Sequence, residues 1–165
     1  MPALSTGVQA PDFTLEGMDG KKFSLSEALK RGPVLAIFFK ISCPVCQFAV
    51  PYFERLYKAY GKRGVTIVGI SQDSKKDTAE FIREYGITFP VVLDEKPTYP
   101  VSNAYGLTNV PTIFWIASDG EIELSSVGWS RQDLEQINAK LAEAAGTNVT
   151  PLFRAGEDVP DFRAG

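Results

Sequence analysis

Cys43 and Cys46 are the only two thiols in the chain, with Pro44 and Val45 between them. Two sulfurs three positions apart can close into a small disulfide ring and reopen. The chain has no histidine. That removes Ser-His-Asp and Cys-His catalytic pairs. It also removes zinc sites with histidine ligands, and two cysteines cannot complete a four-cysteine site. No metal and no cofactor is therefore expected. Redox, acid–base or nucleophilic chemistry must use cysteine, a carboxylate, lysine or tyrosine.

The elements around the two thiols decide what they can do. Val34–Phe39 is a continuous apolar run between Pro33 and Lys40, the pattern of a strand buried on both faces. Pro44–Tyr60 reads as a helix, with Phe48, Phe53, Leu56, Tyr57 and Tyr60 at helical spacing and Gly61 ending it. Pro51 lies inside this helix and is expected to kink it. The cysteines thus sit at a helix N-terminus, where free N–H groups and partial positive charge favour a thiolate. Cys43, at or before the first turn, is nearer solvent and is the expected attacking thiolate. Cys46, one turn inside, is more buried and is the expected resolving thiol. Pro44 suits the first helical position, which needs no N–H. Lys40 is the nearest charged side chain in sequence; it either favours the thiolate or is a solvated strand end. Two buried cysteines acting as small hydrophobes would leave the coincidence of spacing, helix start and preceding strand unexplained.

The rest of the chain supplies a scaffold. Residues 7–25 read as a short β-hairpin turning at Met18, Asp19 and Gly20, followed by a helical turn or two over 26–30. Residues 65–70 form a second buried strand, parallel to the first through a right-handed crossover. A helix over 78–85, a strand at Val91–Leu93 and a short helix over 99–105 follow. Thr112–Ile116 is a third strong strand. Asp119-Gly120 turns the chain into an antiparallel return over 121–127. Ser130 opens an amphipathic helix over Arg131–Ala145, with Leu134, Ile137 and Leu141 on one face. Pro111 stands at a strand entrance, where an ordinary trans proline is the better local expectation and a cis bond the alternative.

With 165 residues, the chain suits one domain: residues 1–147, with 148–165 as an extended tail. Leu152, Phe153, Val159 and Phe162 are the tail's expected anchors. Docking on the domain, pairing with a second copy in a homodimer, and disorder are its three open fates. A composition 44% hydrophobic and 22% charged fits a soluble globular protein. A net charge of -3 gives no electrostatic footprint for nucleic acid. No apolar run approaches the roughly 18–20 residues of a membrane span. The first seven residues lack the basic and apolar regions of a signal peptide, so a cytoplasmic location is expected, or an extracytoplasmic one if a leader was removed.

A strand, Cys-Pro-Val-Cys, a helix, and later Val110-Pro111-Thr112 before a strand and hairpin resemble the thioredoxin-like superfamily. The opening Gly-Val-Gln-Ala-Pro-Asp-Phe-Thr-Leu and the following Asp-Gly-Lys-Lys-Phe-Ser-Leu are similar to its redoxin branch. That branch holds the alkyl hydroperoxide reductase/thiol-specific antioxidant proteins and related thiol–disulfide oxidoreductases. The resemblance covers about residues 7–145. It implies an α/β, thioredoxin-like three-layer fold: a central mixed β-sheet flanked by helices, with an N-terminal β-hairpin extension. It implies that Pro111 is cis and packs on the disulfide, and that Val110 backbone groups pair with an extended substrate segment. Pro44, Val45, Val110 and Pro111 are then the substrate-binding residues. The implied partners are a protein disulfide and an electron-donor thiol system.

The sequence departs from the family in specific places. Thioredoxins carry a buried Asp six residues before the first cysteine, where this chain has Ile37. Related oxidoreductases carry a Glu three residues after the second cysteine, where it has Ala49. Ser42 replaces the usual Trp. The peroxidase motif Pro-x-x-x-Thr/Ser-x-x-Cys fails in both frames: Phe39 and Cys43 stand where Cys46 would require Pro and Thr or Ser, and Ala36 and Lys40 where Cys43 would. Residues 111–118 contain no Arg to polarise a peroxide. Dithiol–disulfide exchange is therefore the leading expectation. A peroxiredoxin-like thiol peroxidase with antioxidant activity is the enzymatic alternative, and a redox-regulated binding module without turnover the non-enzymatic one.

Overall fold

The computed structural model describes residues 3–165; Met1 and Pro2, where the expected domain begins, lie outside the described residues. Strands β1 (Thr14–Glu16) and β2 (Lys22–Ser24) form the antiparallel N-terminal hairpin, with Leu15 opposite Phe23. Helix α1 (Leu25–Leu29) follows, its Glu27 N–H donating to Ser24 Oγ. Strand β3 (Val34–Phe39) is buried at every position. Helix α2 (Pro44–Tyr60) continues through Pro51 and ends at Gly61.

Strand β4 (Thr66–Ser71) starts one residue later than its apolar run suggested. Helix α3 (Lys75–Tyr85) starts three residues earlier than expected, because Ser74 Oγ accepts from the Asp77 N–H and sets the first turn ahead of the apolar face. Strand β5 (Val91–Leu93), helix α4 (Pro100–Ala104), strand β6 (Thr112–Ile116) and strand β7 (Ile122–Val127) come next. A short strand β8 (Trp129–Ser130) leads into helix α5 (Arg131–Ala145). A two-residue strand β9 (Phe162–Arg163) lies in the tail.

The five-stranded sheet has the order β5-β4-β3-β6-β7. β3, β4 and β5 run parallel; β6 is antiparallel to β3, and β7 to β6. Because side chains alternate along each strand, β3 feeds two separate cores. Leu35, Ile37 and Phe39 pack on the face carrying α2, α3 and α5. Val34, Ala36 and Phe38 pack on the face carrying α1, α4 and the N-terminal segment. These are the three layers: helices, mixed sheet, helices. Both sheet edges are covered. The Met18 N–H donates to Val91 O on one side, and residues 7–9 bridge to residues 121–122 on the other.

Residues 148–165 run back over the α2/α5 face. Tyr60 Oη donates to Asn138 Oδ1 at 2.6 Å, Asn138 Nδ2 donates to Thr150 O at 2.8 Å, and the Thr150 N–H donates to Tyr60 Oη at 2.8 Å, a closed ring of three bonds. Leu152 is buried. Phe153 stands 5.5 Å from Tyr52 and 6.2 Å from Trp129, centroid to centroid, and Val159 packs on the same core. Phe162 departs from its expected role: it is 63% exposed, because β9 turns its side chain outward while its backbone pairs with Ser130.

Candidate active site

Strand β3 delivers the chain to residues 40–43 at the C-terminal edge of the parallel strands, where open α/β sheets place their sites. The loop is clamped at Ile41. Its N–H donates to Asp73 Oδ2 at 2.8 Å, and its carbonyl accepts from Gln47 Nε2 at 2.9 Å. Asp73 is itself set by Ser71 Oγ, which accepts the Asp73 N–H at 3.1 Å. Neither Asp73 nor Gln47 was singled out from the sequence. The signal for Asp73 was present in the register: Phe39 pairs with Ser71, so residues two steps beyond each strand end lie side by side.

Cys43 is the N-cap of α2, with φ -84° and ψ 118°. Its Sγ accepts the Cys46 N–H at 3.2 Å, doing for a sulfur what a capping hydroxyl does for an oxygen. This bond sets the sulfur at the helix N-terminus, against the free N–H groups of the first turn. Pro44 occupies the first turn without wasting a donor. Cys43 is half-buried, Pro44 exposed and Val45 half-buried, whereas Cys46 is fully buried among the core residues of the α2 face. Both cysteines are free thiols. Burial pushes the Cys46 thiol far above the ordinary thiol range, opposed only in part by a backbone hydrogen bond from Lys40 and reinforced by the nearby charge of Asp73.

The second half of the site comes from the loop before β6. The Val110–Pro111 peptide is cis, which corrects the local expectation of trans and agrees with the resemblance. A second cis bond, Lys96–Pro97, had no sequence signal. The Cys43 thiol donates to Val110 O at 3.3 Å. Asn109 O accepts from Thr112 Oγ1 at 2.7 Å, and Pro111 O accepts from the Gly128 N–H at 2.7 Å. Among the described residues nothing accepts from the Val110 N–H. Cys43, Val45 and Val110 all pack against the same core.

Lys40 touches the cysteine loop through its backbone, its carbonyl accepting the Cys43 N–H at 3.3 Å, and among the described residues it forms no ion pair. Ile37 and Ala49 are both fully buried in the same core as Cys46, and neither brings a carboxylate to it. Among the described residues no cluster of three metal-binding side chains occurs.

The comparisons with known proteins follow this geometry. Thiol-disulfide oxidoreductase ResA from Geobacillus thermodenitrificans is 32% identical over 136 residues, 81% of this chain and 76% of that protein. The protein of the same name from Bacillus subtilis is 36% identical over 121 residues, 73% of this chain and 66% of that one. The thioredoxin domain of a thiol-disulfide oxidoreductase from Bacteroides vulgatus superposes with a TM-score of 0.74 at 28% identity, covering 84% of this chain and 98% of that chain. The AhpC/TSA family model matches residues 6–125, which include both cysteines and cis-Pro111, so the chain belongs to the AhpC/TSA family.

Proposed function

We propose that the chain is a thiol–disulfide oxidoreductase in which Cys43 is the nucleophile and Cys46 the resolving thiol. The observation that carries this reading is the asymmetry of the pair: Cys43 is half-buried and receives a helix N–H, whereas Cys46 is sealed in the core. The Cys43 thiolate attacks one sulfur of a partner protein's disulfide. The other partner sulfur leaves as a thiolate and is protonated, giving a mixed disulfide on Cys43. Cys46 then loses its proton and attacks Cys43 Sγ. The second partner thiol leaves, the partner has gained two electrons, and Cys43–Cys46 is a disulfide. A donor thiol system returns it to the dithiol.

Val110, Pro111, Pro44 and Val45 form the contact surface around Cys43, and the unpaired Val110 N–H supports backbone pairing with an extended partner segment. The absence of the peroxidase motif weighs against peroxide as the substrate. Among the described residues no helix is long and apolar enough to cross a membrane. Reducing and oxidising compartments both suit this chemistry, since electron flow follows the donor's potential. The test is parallel turnover of an insulin disulfide and of hydrogen peroxide with a dithiol donor. Disulfide turnover that vanishes in Cys43→Ser, with negligible peroxide consumption, supports the reading; peroxide turnover without disulfide turnover contradicts it.

A further inference from the structure

The tail reaches the loop whose Val110 carbonyl accepts the Cys43 thiol. β9 pairs antiparallel with β8, Trp129 opposite Arg163 and Ser130 opposite Phe162, and the Arg131 N–H donates to Asp161 O at 2.9 Å. The approach is tight enough to demand glycine twice. Gly128 has φ +77°, and a Cβ there would run into the Arg163 carbonyl. A Cβ on Gly165 would run into the carbonyl of Val110, the same oxygen that accepts the Cys43 thiol. Asn109 Nδ2 donates to Gly165 O at 3.1 Å, and the Arg163 guanidinium lies 5.0 Å over the ring of Phe48, two residues after Cys46. Upstream, Trp129 Nε1 donates to Pro160 O at 2.7 Å, and Arg55 grips Glu157 through two parallel bonds.

We infer that the tail, held by β9 on β8 and with Gly165 against Asn109 and Val110, covers part of the track that a partner polypeptide needs, so that it is an internal competitor for the substrate. This deepens the exchange reading and rests on it. The tail reports what the track accepts: an extended segment with a small residue against Val110 and a cation over Phe48. Its own hold there is light. Residues 161–165 are all exposed, and among the described residues the Asn109 bond is the one hydrogen bond that holds residues 164–165. A folded protein presenting a disulfide on an extended loop displaces this end, while a small disulfide reaches Cys43 without doing so.

The test compares wild type with Arg163→Pro, which removes a strand donor, and Gly165→Val, which forces the end off Val110. Both positions are exposed, so the domain stays folded. Reduction rates are measured with insulin and with a small aromatic disulfide. Release of the tail is expected to raise the insulin rate fivefold or more in both variants and to leave the small-disulfide rate within twofold. Insulin rates that are unchanged or lower, with small-disulfide rates intact, overturn the competitor role. Failure of wild type to react with either disulfide instead refutes the exchange reading, which separates the two outcomes.

Discussion

The thiol of Cys43 donates to the carbonyl oxygen of Val110 at 3.3 Å, although 67 residues separate them. One residue comes from the end of a parallel strand, the other from the cis-proline loop before an antiparallel one. The bond ties the N-terminus of α2 to the cis-proline loop, so the Cys43 sulfur lies against the Val110 carbonyl.

The burial of Cys46 has a kinetic consequence. Its thiol is pushed far up by desolvation, and Ile37 and Ala49 provide no carboxylate to take its proton. Resolution of a mixed disulfide then depends on a rare Cys46 thiolate, whose population rises about tenfold per pH unit below the thiol's own pKa. The decay rate of a preformed Cys43 mixed disulfide is expected to climb about tenfold from pH 6 to 7 and again from 7 to 8. A flat profile over that range, read by quenched-flow mass spectrometry, would show a proton acceptor that this mechanism lacks.

Asp73 is a positioning residue, since it holds the Ile41 N–H and touches neither sulfur. Asp73→Ala leaves that partly buried N–H unpaired and should cost about 1–3 kcal/mol, read as a lower denaturant midpoint. Asp73→Asn keeps an oxygen acceptor and should recover most of the loss. Equal losses in the two variants would mean that charge, not the hydrogen bond, matters at this position.

Glu157 is held at about 2, first by the Arg55 hydrogen bonds and then by the Arg154 N–H. A carboxylate lowered from its ordinary value near 4.5 contributes to tail docking fully above that value and loses the contribution as pH falls towards about 2. A carboxyl-carbon NMR titration should place the Glu157 midpoint near 2 in wild type and well above it in Arg55→Met, though still below 4.5 because the Arg154 N–H remains. A wild-type midpoint near 4.5 would mean that the tail is not latched in solution.

Trp129 closes an aromatic cluster with Phe48 at 4.8 Å and Tyr52 at 5.1 Å, and its indole N–H bonds Pro160 O. Trp129→Phe removes the donor and keeps a ring. It should lower stability by about 1–3 kcal/mol, with increased proteolysis confined to residues 157–165. Uniform loss of protection across α2 would instead assign Trp129 to the core alone.

How much was legible follows from how local each signal is. β3, α2, β5, β6 and α5 were readable to the residue; β3, α2 and β6 combine a continuous apolar pattern with a nearby stop, Pro33, Gly61 and the turn at Asp119-Gly120. The Cys43/Cys46 asymmetry was readable because a helix start fixes which position is capped. The clamp on Ile41 was not read, because it needs the β3/β4 register. β9 was invisible: two residues carry no period, and their partners Trp129 and Ser130 lie 34 and 32 positions away in sequence. The exposed Phe162 shows the same limit, since an aromatic side chain in a polar tail looks like an anchor until its strand face is known.

The central claim is the division of labour between the two thiols, and mixed-disulfide trapping tests it most directly. Cys46→Ser and Cys43→Ser are each incubated with an insulin disulfide, and adducts are mapped by peptide mass spectrometry. The mechanism predicts a long-lived adduct on Cys43 in Cys46→Ser and none on Cys46 in Cys43→Ser. An adduct on Cys46 forming as fast as that on Cys43, or no adduct on either, would contradict it.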